Sequence, residues 1–310
     1  MDKIKCFECD EEFDDEKKLH RHFRSHKIKI ADYYYKHYDK KDLYSDEPIE
    51  FKSRIQYLNS DFINRMNLRR WLAKQPSEKC AEYSKECLKR RAILKGLEYA
   101  PTQFELRTSM IPPIHYFSKH GVDYYKFCES IGLKQRYSTL SFDDIPSETS
   151  DECIIIDSRE QKPLKIKGNT EKGGLKYGDY ALKNYKNERT VVERKGLGDL
   201  IGTLSGDSFD RFRREIQKAK DDNAYIIVLI EDTFNHFMGF NYLPHIFKKV
   251  KVTPEYIAHR VKDILYEFSN IQFVFCNGRV KAAELTKLFL YNCDYFKNVD
   301  IQLLIDTKKI

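Results

Sequence analysis

The sequence predicts an α/β domain preceded by an all-helical segment and by a small, metal-stabilised module with two strands and one helix. Two cysteines and two histidines stand close together within residues 1–27. Apolar residues then recur at helical spacing from residue 60 to about residue 137. From residue 152 to residue 296, short apolar runs alternate with amphipathic segments, which is the pattern of a layered α/β domain.

Composition indicates the class of partner. The chain of 310 residues carries a formal charge of +7, which favours a polyanionic partner, and its mean hydropathy is −0.65. No apolar run approaches membrane-spanning length, and the first residues lack the apolar core of a signal peptide, so we expect a soluble protein inside the cell. Eight cysteines without such a signal favour reduced thiols and metal ligation over disulfides.

The first module has the ligand spacing of a C2H2 zinc finger. Two residues separate the cysteines, twelve separate them from the histidines, and three separate the histidines, which therefore share one helix face. Phe13 and Leu19 fall where the small core of such a finger lies. Because so short a chain has little core, zinc would supply the missing folding free energy. The predicted zinc ligands are Cys6, Cys9, His22 and His26.

Resemblance to the zinc-finger family places Asp15, Lys18 and Arg21 at the base-facing helix positions. Lys18 and Arg21 suit guanine or phosphate, whereas Asp15 is ambiguous. The competing use of a single finger is protein binding, and the basic helix favours DNA.

The segment 28–137 is predicted to be a helical, DNA-binding domain. Its tyrosine-rich start, residues 33–38, could bind nucleic acid, but a short helix that packs its tyrosines on the next module is the preferred interpretation. Cys80, Tyr83 and Cys87 share one helix face, which indicates core packing rather than a second zinc site. The basic cluster Lys89–Arg91, including Arg90, is either a solvated helix face or a phosphate contact.

Residues 101–133 resemble the small helical repeat found beside homing endonucleases. The segment has a proline start, an aromatic pair at Tyr116–Phe117 and a closing Gly132–Leu133. Two roles remain open for this segment: a structural spacer and a unit that recognises DNA. Residues 138–151, rich in Ser, Thr, Asp and Pro, are predicted to be a linker.

Charged residues follow two strand-like runs of the α/β domain. Side chains alternate across a strand, so Glu193 and Lys195 leave the run 191–195 on one face and Arg194 leaves on the other. Asp157 follows the run 154–156, and Asp179 stands after a glycine. The three acids offer the hard oxygen ligands that Mg²⁺ prefers, and the lysine offers the positive charge that phosphodiester chemistry needs.

Three motifs in this order resemble the nuclease domain of the XPF family. They are Ile156–Glu160, Gly178–Tyr180, and Glu193–Lys195 followed by Asp199. The resemblance covers roughly half the chain, and ordered motifs at compatible spacing are more specific than any single one. It implies a restriction-endonuclease-like α/β fold over residues 152–296 and a DNA endonuclease that requires Mg²⁺ or Mn²⁺.

The same resemblance implies the roles of individual residues. Asp179 and Glu193 would bind the metal, with Asp157 as a nearby or second-metal acid, and Lys195 would act on the attacking water. Arg159, Arg194 and Arg211 would contact phosphate or support the site. The predicted catalytic residues are Asp157, Glu160, Asp179, Glu193 and Lys195.

The rest of the domain is predicted from its pattern. Ile226–Ile230 is too uniformly apolar for a half-exposed strand and should be a central strand. A helix near 254–268, a strand near 271–276 and a helix near 281–290 should follow, and residues 297–310 are predicted to be a C-terminal tail.

The sequence departs from the family after Asn292, where too few residues remain for the usual tandem helix-hairpin-helix module. The predicted function is an endonuclease that the finger and the helical module direct to DNA. Two alternatives stay open: a structure-specific enzyme for flaps or junctions, and a catalytically silent DNA-binding regulator. Analogy also allows a homodimer through the nuclease domain. The assembly suits a phage or mobile element acting in the host cytoplasm, or the nucleus if it is eukaryotic or viral.

Overall fold

The computed structural model describes residues 3–40, 48, 50–54, 57, 72–96, 98–109, 111–138, 145–147, 150–184, 189–240 and 252–310. These residues fall into two compact units, 1–91 and 92–310. The segment predicted as one helical domain is therefore divided between the two units, and its repeat-like part belongs with the sheet. The predicted helix around residues 60–71 lies outside the described residues.

The first unit begins with a ββα module. Strands β1 (Ile4–Lys5) and β2 (Glu12–Phe13) pair antiparallel, and helix α1 (Glu16–His22) packs Leu19 beneath them. Helix α2 (Ile30–His37) adds Tyr33 to the same small core, where its hydroxyl accepts a 2.8 Å hydrogen bond from Phe7 N. The tyrosine-rich stretch forms a short helix, as preferred from the sequence, but it packs on the preceding ββα module and not on the next one.

Helix α3 (Ser77–Lys95) is the long helix of the middle segment. Cys80, Tyr83 and Cys87 are buried along one side of it, which confirms that they are core residues. Cys80 Sγ lies 3.2 Å from the carbonyl oxygen of Leu72.

The second unit contains a six-stranded mixed sheet in the order β4-β3-β5-β6-β7-β8. The outer pairs β3–β4, β6–β7 and β7–β8 are parallel, and β5 runs antiparallel to both of its neighbours. The strands are β3 (Ile154–Asp157), β4 (Thr170–Gly173), β5 (Tyr180–Leu182), β6 (Arg189–Lys195), β7 (Ala224–Ile230) and β8 (Ile271–Phe275).

Helices cover both faces of this sheet. On one face pack α7 (Leu197–Thr203), α8 (Asp207–Asp221), α9 (Phe234–Met238) and α10 (Pro254–Glu267). On the other pack α11 (Gly278–Tyr291), α12 (Cys293–Phe296) and α13 (Ile301–Asp306). Strand β7 is buried over nearly its whole length between β6 and β8, which confirms the predicted central strand.

The repeat-like segment forms helices α4 (Gln103–Arg107), α5 (Ile114–Lys119) and α6 (Tyr124–Ser130). Phe104 of α4 enters the core of the sheet domain. The backbone N–H of Gln103 donates to Asp300 Oδ2 at 2.7 Å, and Arg107 forms an ion pair with Asp306 at 2.5 Å. Buried polar contacts therefore fix the segment to the C-terminal helix.

Residues 297–310 are not the tail that the sequence predicts. Asp300 caps helix α13, whose Ile301 and Leu304 are fully buried against the sheet. The prediction was wrong because the run from Ile301 to Ile305 is too short to show periodicity, and only its packing reveals that it completes a core. No helix of the described part of the chain is both long and apolar enough to cross a membrane.

Candidate active site

A cleft of about 790 Å³ lies at the ends of β3, β5 and β6 and against helix α8. Most of its lining is polar or charged. The lining side chains include Asp157, Arg159, Glu160, Lys162, Lys176, Tyr177, Asp179, Glu193, Asp199, Phe212, Glu215 and Lys218. The cleft thus collects the residues of all three sequence motifs.

The turn before β5 carries Asp179 to strand β6. The N–H of Asp179 donates to Val192 O at 2.9 Å, and its Oδ2 accepts from Arg194 N at 2.8 Å. Gly178 has φ +66°, and a Cβ there would lie 2.9 Å from Val191 Cβ. Only glycine allows the turn to approach β6 so closely, and this approach places the aspartate beside Glu193.

The two acids influence each other. Burial and then the nearby charge of Glu193 raise the pKa of Asp179 from 3.8 to about 7, although the N–H of Arg194 opposes the rise. A carboxylate that is costly to ionise beside a second carboxylate is stabilised by a cation between them. The pair has the donor chemistry of a site for a hard divalent ion.

Lys195 lies on the cleft side of β6, as strand alternation predicts. Its Nζ donates to Glu193 Oε1 at 2.9 Å and stands 5.6 Å from the ring centre of Phe212. The lysine is mostly buried, so its charge is held in one place.

Asp157 has partners that differ from those of the other two acids. Its oxygens accept hydrogen bonds from Arg159 N and Nε, both 2.8 Å, and from Leu175 N at 2.8 Å. The side chain of Arg159 is the main reason that its pKa falls to about 2. Asp157 therefore anchors Arg159, and this geometry does not favour the predicted metal ligation.

Glu160 and Arg194 form a largely buried ion pair in the lining of the cleft. The Arg194 guanidinium donates to Glu160 at 2.9–3.1 Å and to Glu231 at 3.1 Å, and all three side chains are largely buried. These ion pairs favour the supporting role that was one of the two predicted for Arg194, and its contact with DNA stays a prediction. Strand alternation turns its side chain away from Glu193 and Lys195.

Helix α8 and the turn before β5 supply lining residues that the sequence analysis did not select. Lys218 lies on the same helix face as Phe212 and Glu215, and this i, i+3, i+6 spacing was a signal in the sequence. Lys176 reaches the cleft from the turn and pairs with Asp222. Arg211, in contrast, is exposed and pairs with Glu215 at 4.0 Å outside the cleft lining.

The ββα module brings its four ligands together. Cys9 Sγ lies 3.2 Å from His22 Nε2, Cys6 Sγ lies 3.7 Å from His26 Nε2, and the two Nε2 atoms are 2.9 Å apart. Tetrahedral Zn²⁺ holds such atoms roughly 3.3–3.8 Å apart. Within the described ranges, this is the only group of three or more donor residues whose atoms all lie within 4.8 Å of one another.

Two of the three base-facing positions of the finger remain available. Lys18 and Arg21 are exposed on α1, although Lys18 also pairs with Asp14 at 2.6 Å. Asp15 serves as the N-cap of the helix, because its Oδ1 accepts from Lys18 N. On α3, Arg90 is half-exposed and pairs with Glu86, and Arg91 is partly buried.

The mixed sheet with paired acids on adjacent strands defines a restriction-endonuclease-like α/β fold, as predicted. Residues 156–289 match the family model described as the ERCC4 domain, so this part of the chain is similar to that family. Among solved structures, XPF from Aeropyrum pernix is similar, with 13% sequence identity, a TM-score of 0.34, and coverage of 51% of this chain and 69% of that chain. No curated protein matches the sequence significantly.

Proposed function

We propose that the protein is a divalent-metal-dependent DNA endonuclease that hydrolyses phosphodiester bonds. The observation that carries the proposal is the position of Asp179 and Glu193 in one cleft, with Lys195 Nζ 2.9 Å from Glu193 Oε1. Two acids and a fixed cation are the groups that this hydrolysis needs at neutral pH.

Asp179 and Glu193 would hold Mg²⁺ or Mn²⁺. Their hard oxygens suit either ion. Burial and then the charge of Glu193 raise the pKa of Asp179 to about 7, and a bound cation would favour its ionised form. A bound ion would activate water and offset charge on the phosphate.

Lys195 and Arg159 would act directly on the phosphate. Lys195 Nζ uses one N–H for Glu193 Oε1, so its remaining N–H groups can donate to a phosphate oxygen and stabilise the charge that develops there. Arg159 keeps a largely exposed guanidinium that Asp157 holds at the cleft. A guanidinium fixed in this way suits phosphate recognition.

Exposed basic side chains in the cleft lining support DNA as the substrate. They are Lys162, Lys176 and Lys218, together with Arg159. The net charge of +7 favours the same partner.

The first unit would direct the enzyme to DNA. Zn²⁺ bound by the four finger residues would stabilise the module, and the exposed Lys18 and Arg21 would contact bases or phosphates. Protein binding by the finger is the competing use. Lys18→Ala and Arg21→Ala should each weaken DNA binding and reduce its salt dependence, whereas Lys3→Ala, on the exposed hairpin, should not.

The function is tested by cleavage of matched duplex, flap and four-way-junction DNA with Mg²⁺ or Mn²⁺. Asp179→Ala and Lys195→Ala should each abolish cleavage while DNA binding, measured by fluorescence anisotropy, persists. Lys183→Gln, which neutralises an exposed lysine paired with Glu171, is the control and should cut normally. Wild-type cleavage by either active-site variant would refute the site.

A second candidate is a structure-specific endonuclease, because the ERCC4 match points to a family of nucleases for branched DNA. Cleavage restricted to flap or junction substrates would establish it. Discrete cuts in linear duplex would instead support targeting by the finger and the helical segment. Tight binding without any cleavage would identify a DNA-binding regulator.

A further inference from the structure

Four charged side chains form a chain of ion pairs that reaches the cleft lining at two of its members, and we call it the rear ion-pair network. It contains Glu160, Arg194, Glu231 and Arg279. The first three expose 6%, 13% and 10% of their side chains, and Arg279 exposes 46%. Neither Glu231 nor Arg279 belongs to the motifs that define the cleft.

The network joins four parts of the domain. Arg194 on β6 binds Glu160, which follows β3, and Glu231, which directly follows β7. Arg279 in the first turn of α11 continues the chain through an ion pair with Glu231 at 3.1 Å. It also donates from Nη2 to Lys162 O at 2.7 Å and Pro163 O at 3.0 Å.

The charge of each buried member is compensated by its partners in the network. Removing one partner of a buried ion pair leaves the other charge unsatisfied in a poorly solvated place, which costs more than the pair itself contributes. Glu231 is the shared acceptor of two arginines, so its loss would remove one carboxylate partner from each of them. Arg279 closes the network at its exposed end.

The network acts on the cleft through the backbone of one residue. Glu160 and Glu231 hold the side chain of Arg194, and its backbone N–H donates to Asp179 Oδ2 in the cleft. The loop that Arg279 holds at Lys162 and Pro163 also carries Glu160 and follows Arg159. A shift of this assembly would therefore move both the acid pair and the phosphate-binding arginine.

We propose that Glu231 and Arg279 are positioning residues, which hold strand β6 and the loop 158–163 so that Asp179 keeps its place beside Glu193. The proposal rests on the proposed nuclease function for its catalytic consequence. Its structural part, the restraint of the Arg194 N–H, holds independently of activity.

Arg279 allows a sharp test because lysine cannot replace its contacts. A guanidinium reaches Glu231 and two carbonyls at once, whereas an ammonium is a single point charge. If the half-exposed Arg279 were instead a DNA phosphate contact, Arg279→Lys would largely restore function. The control Lys183→Gln neutralises an ion-paired cation that is about as exposed as Arg279 and lies outside the cleft lining.

Hydrogen exchange at the Arg194 amide and single-turnover cleavage are measured for wild type, Glu231→Gln, Arg279→Gln, Arg279→Lys and Lys183→Gln. In Glu231→Gln, Arg279→Gln and Arg279→Lys, we expect hydrogen exchange at the Arg194 amide to become faster. We also expect kcat to fall by about tenfold or more in these variants, with little change in KM. Lys183→Gln should match wild type. The Arg279 variants test the inference even if Glu231→Gln fails to fold.

Unchanged exchange at Arg194 in both Arg279 variants would overturn the inference. A raised KM that Arg279→Lys restores would also overturn it, in favour of direct DNA contact. If the wild type cuts no substrate, the proposed function fails, and the exchange data still decide whether the network restrains Arg194.

Discussion

The backbone N–H of Arg194 donates a 2.8 Å hydrogen bond to Oδ2 of Asp179, while its guanidinium donates to Glu160 and Glu231. One residue of β6 thus touches the acid pair with its backbone and the rear ion-pair network with its side chain. Because side chains alternate along a strand, Glu193 and Lys195 share one face of β6, and Glu193 lines the cleft. A slip of the strand by one residue would exchange the two faces and destroy the site.

Asp179→Asn should stabilise the protein at alkaline pH. The pKa of Asp179 is raised from 3.8 unfolded to about 7 folded, first by burial and then by Glu193. Between these values the folded state holds a proton that the unfolded state releases, so stability falls as pH rises to about 7. In buffer free of Mg²⁺ and Mn²⁺, the variant should melt roughly 5 °C above wild type at pH 8 and close to it near pH 4.

Thermal melts at both pH values, followed by circular dichroism, measure the difference. Asp210→Asn is a suitable control, because Asp210 is an exposed aspartate of α8 outside the cleft lining. An Asp179→Asn melting temperature at or below that of wild type at pH 8 would show that burial does not penalise this carboxylate.

Asp157→Asn should have the opposite effect on stability. Arg159 lowers the pKa of Asp157 from 3.8 to about 2, so the ionised carboxylate stabilises the fold above about pH 4 and this stabilisation is lost as pH falls towards 2. Loss of its hydrogen bonds to Arg159 and Leu175 should lower the free energy of unfolding by about 2 kcal/mol at pH 7. Urea titrations at pH 7 and pH 3 should show the deficit shrinking at the lower pH. Equal stability at pH 7 would contradict the anchoring role.

The cleavage rate should depend on pH through competition between protons and metal for Asp179. At low Mg²⁺ concentration, the rate should rise with pH, with the midpoint of the rise near pH 7, because protonated Asp179 is a poor metal ligand. Raising Mg²⁺ should move this midpoint to lower pH. Single-turnover rates at several Mg²⁺ concentrations provide the measurement, and a midpoint that ignores Mg²⁺ would argue against ligation by this residue.

Cys9→Ser should remove one zinc ion from each chain. With a ligand lost, the small core around Leu19 and Tyr33 cannot supply the folding free energy of the module, so its helices should become sensitive to protease. Metal analysis and limited proteolysis of the full chain measure both effects. Cys153→Ser, at a cysteine outside the ligand group, should keep the zinc. Zinc retained by Cys9→Ser would refute the ligand set.

The sequence predicts much of the fold because its signals are local. The apolar run of β7 identifies a central strand, and the glycine before Asp179 marks the turn that meets β6. The spacing of the finger ligands is equally local, and the structure brings the four together. The C-terminal helix α13 escapes prediction because its burial depends on distant partners, among them Gln272, which accepts from Ile301 N.

The sequence by itself determined the α/β class, the order of the motifs and the faces on which Glu193, Arg194 and Lys195 leave their strand, because chain geometry fixes side-chain alternation. Only the tertiary structure decided which charges are satisfied. In the folded chain, Arg159 donates to Asp157 and Arg194 donates to Glu231. Arg279 also donates to Glu231, 48 residues away in the sequence. Such pairings depend on the distances between charges, and these distances exist only once the sheet and its helices have packed.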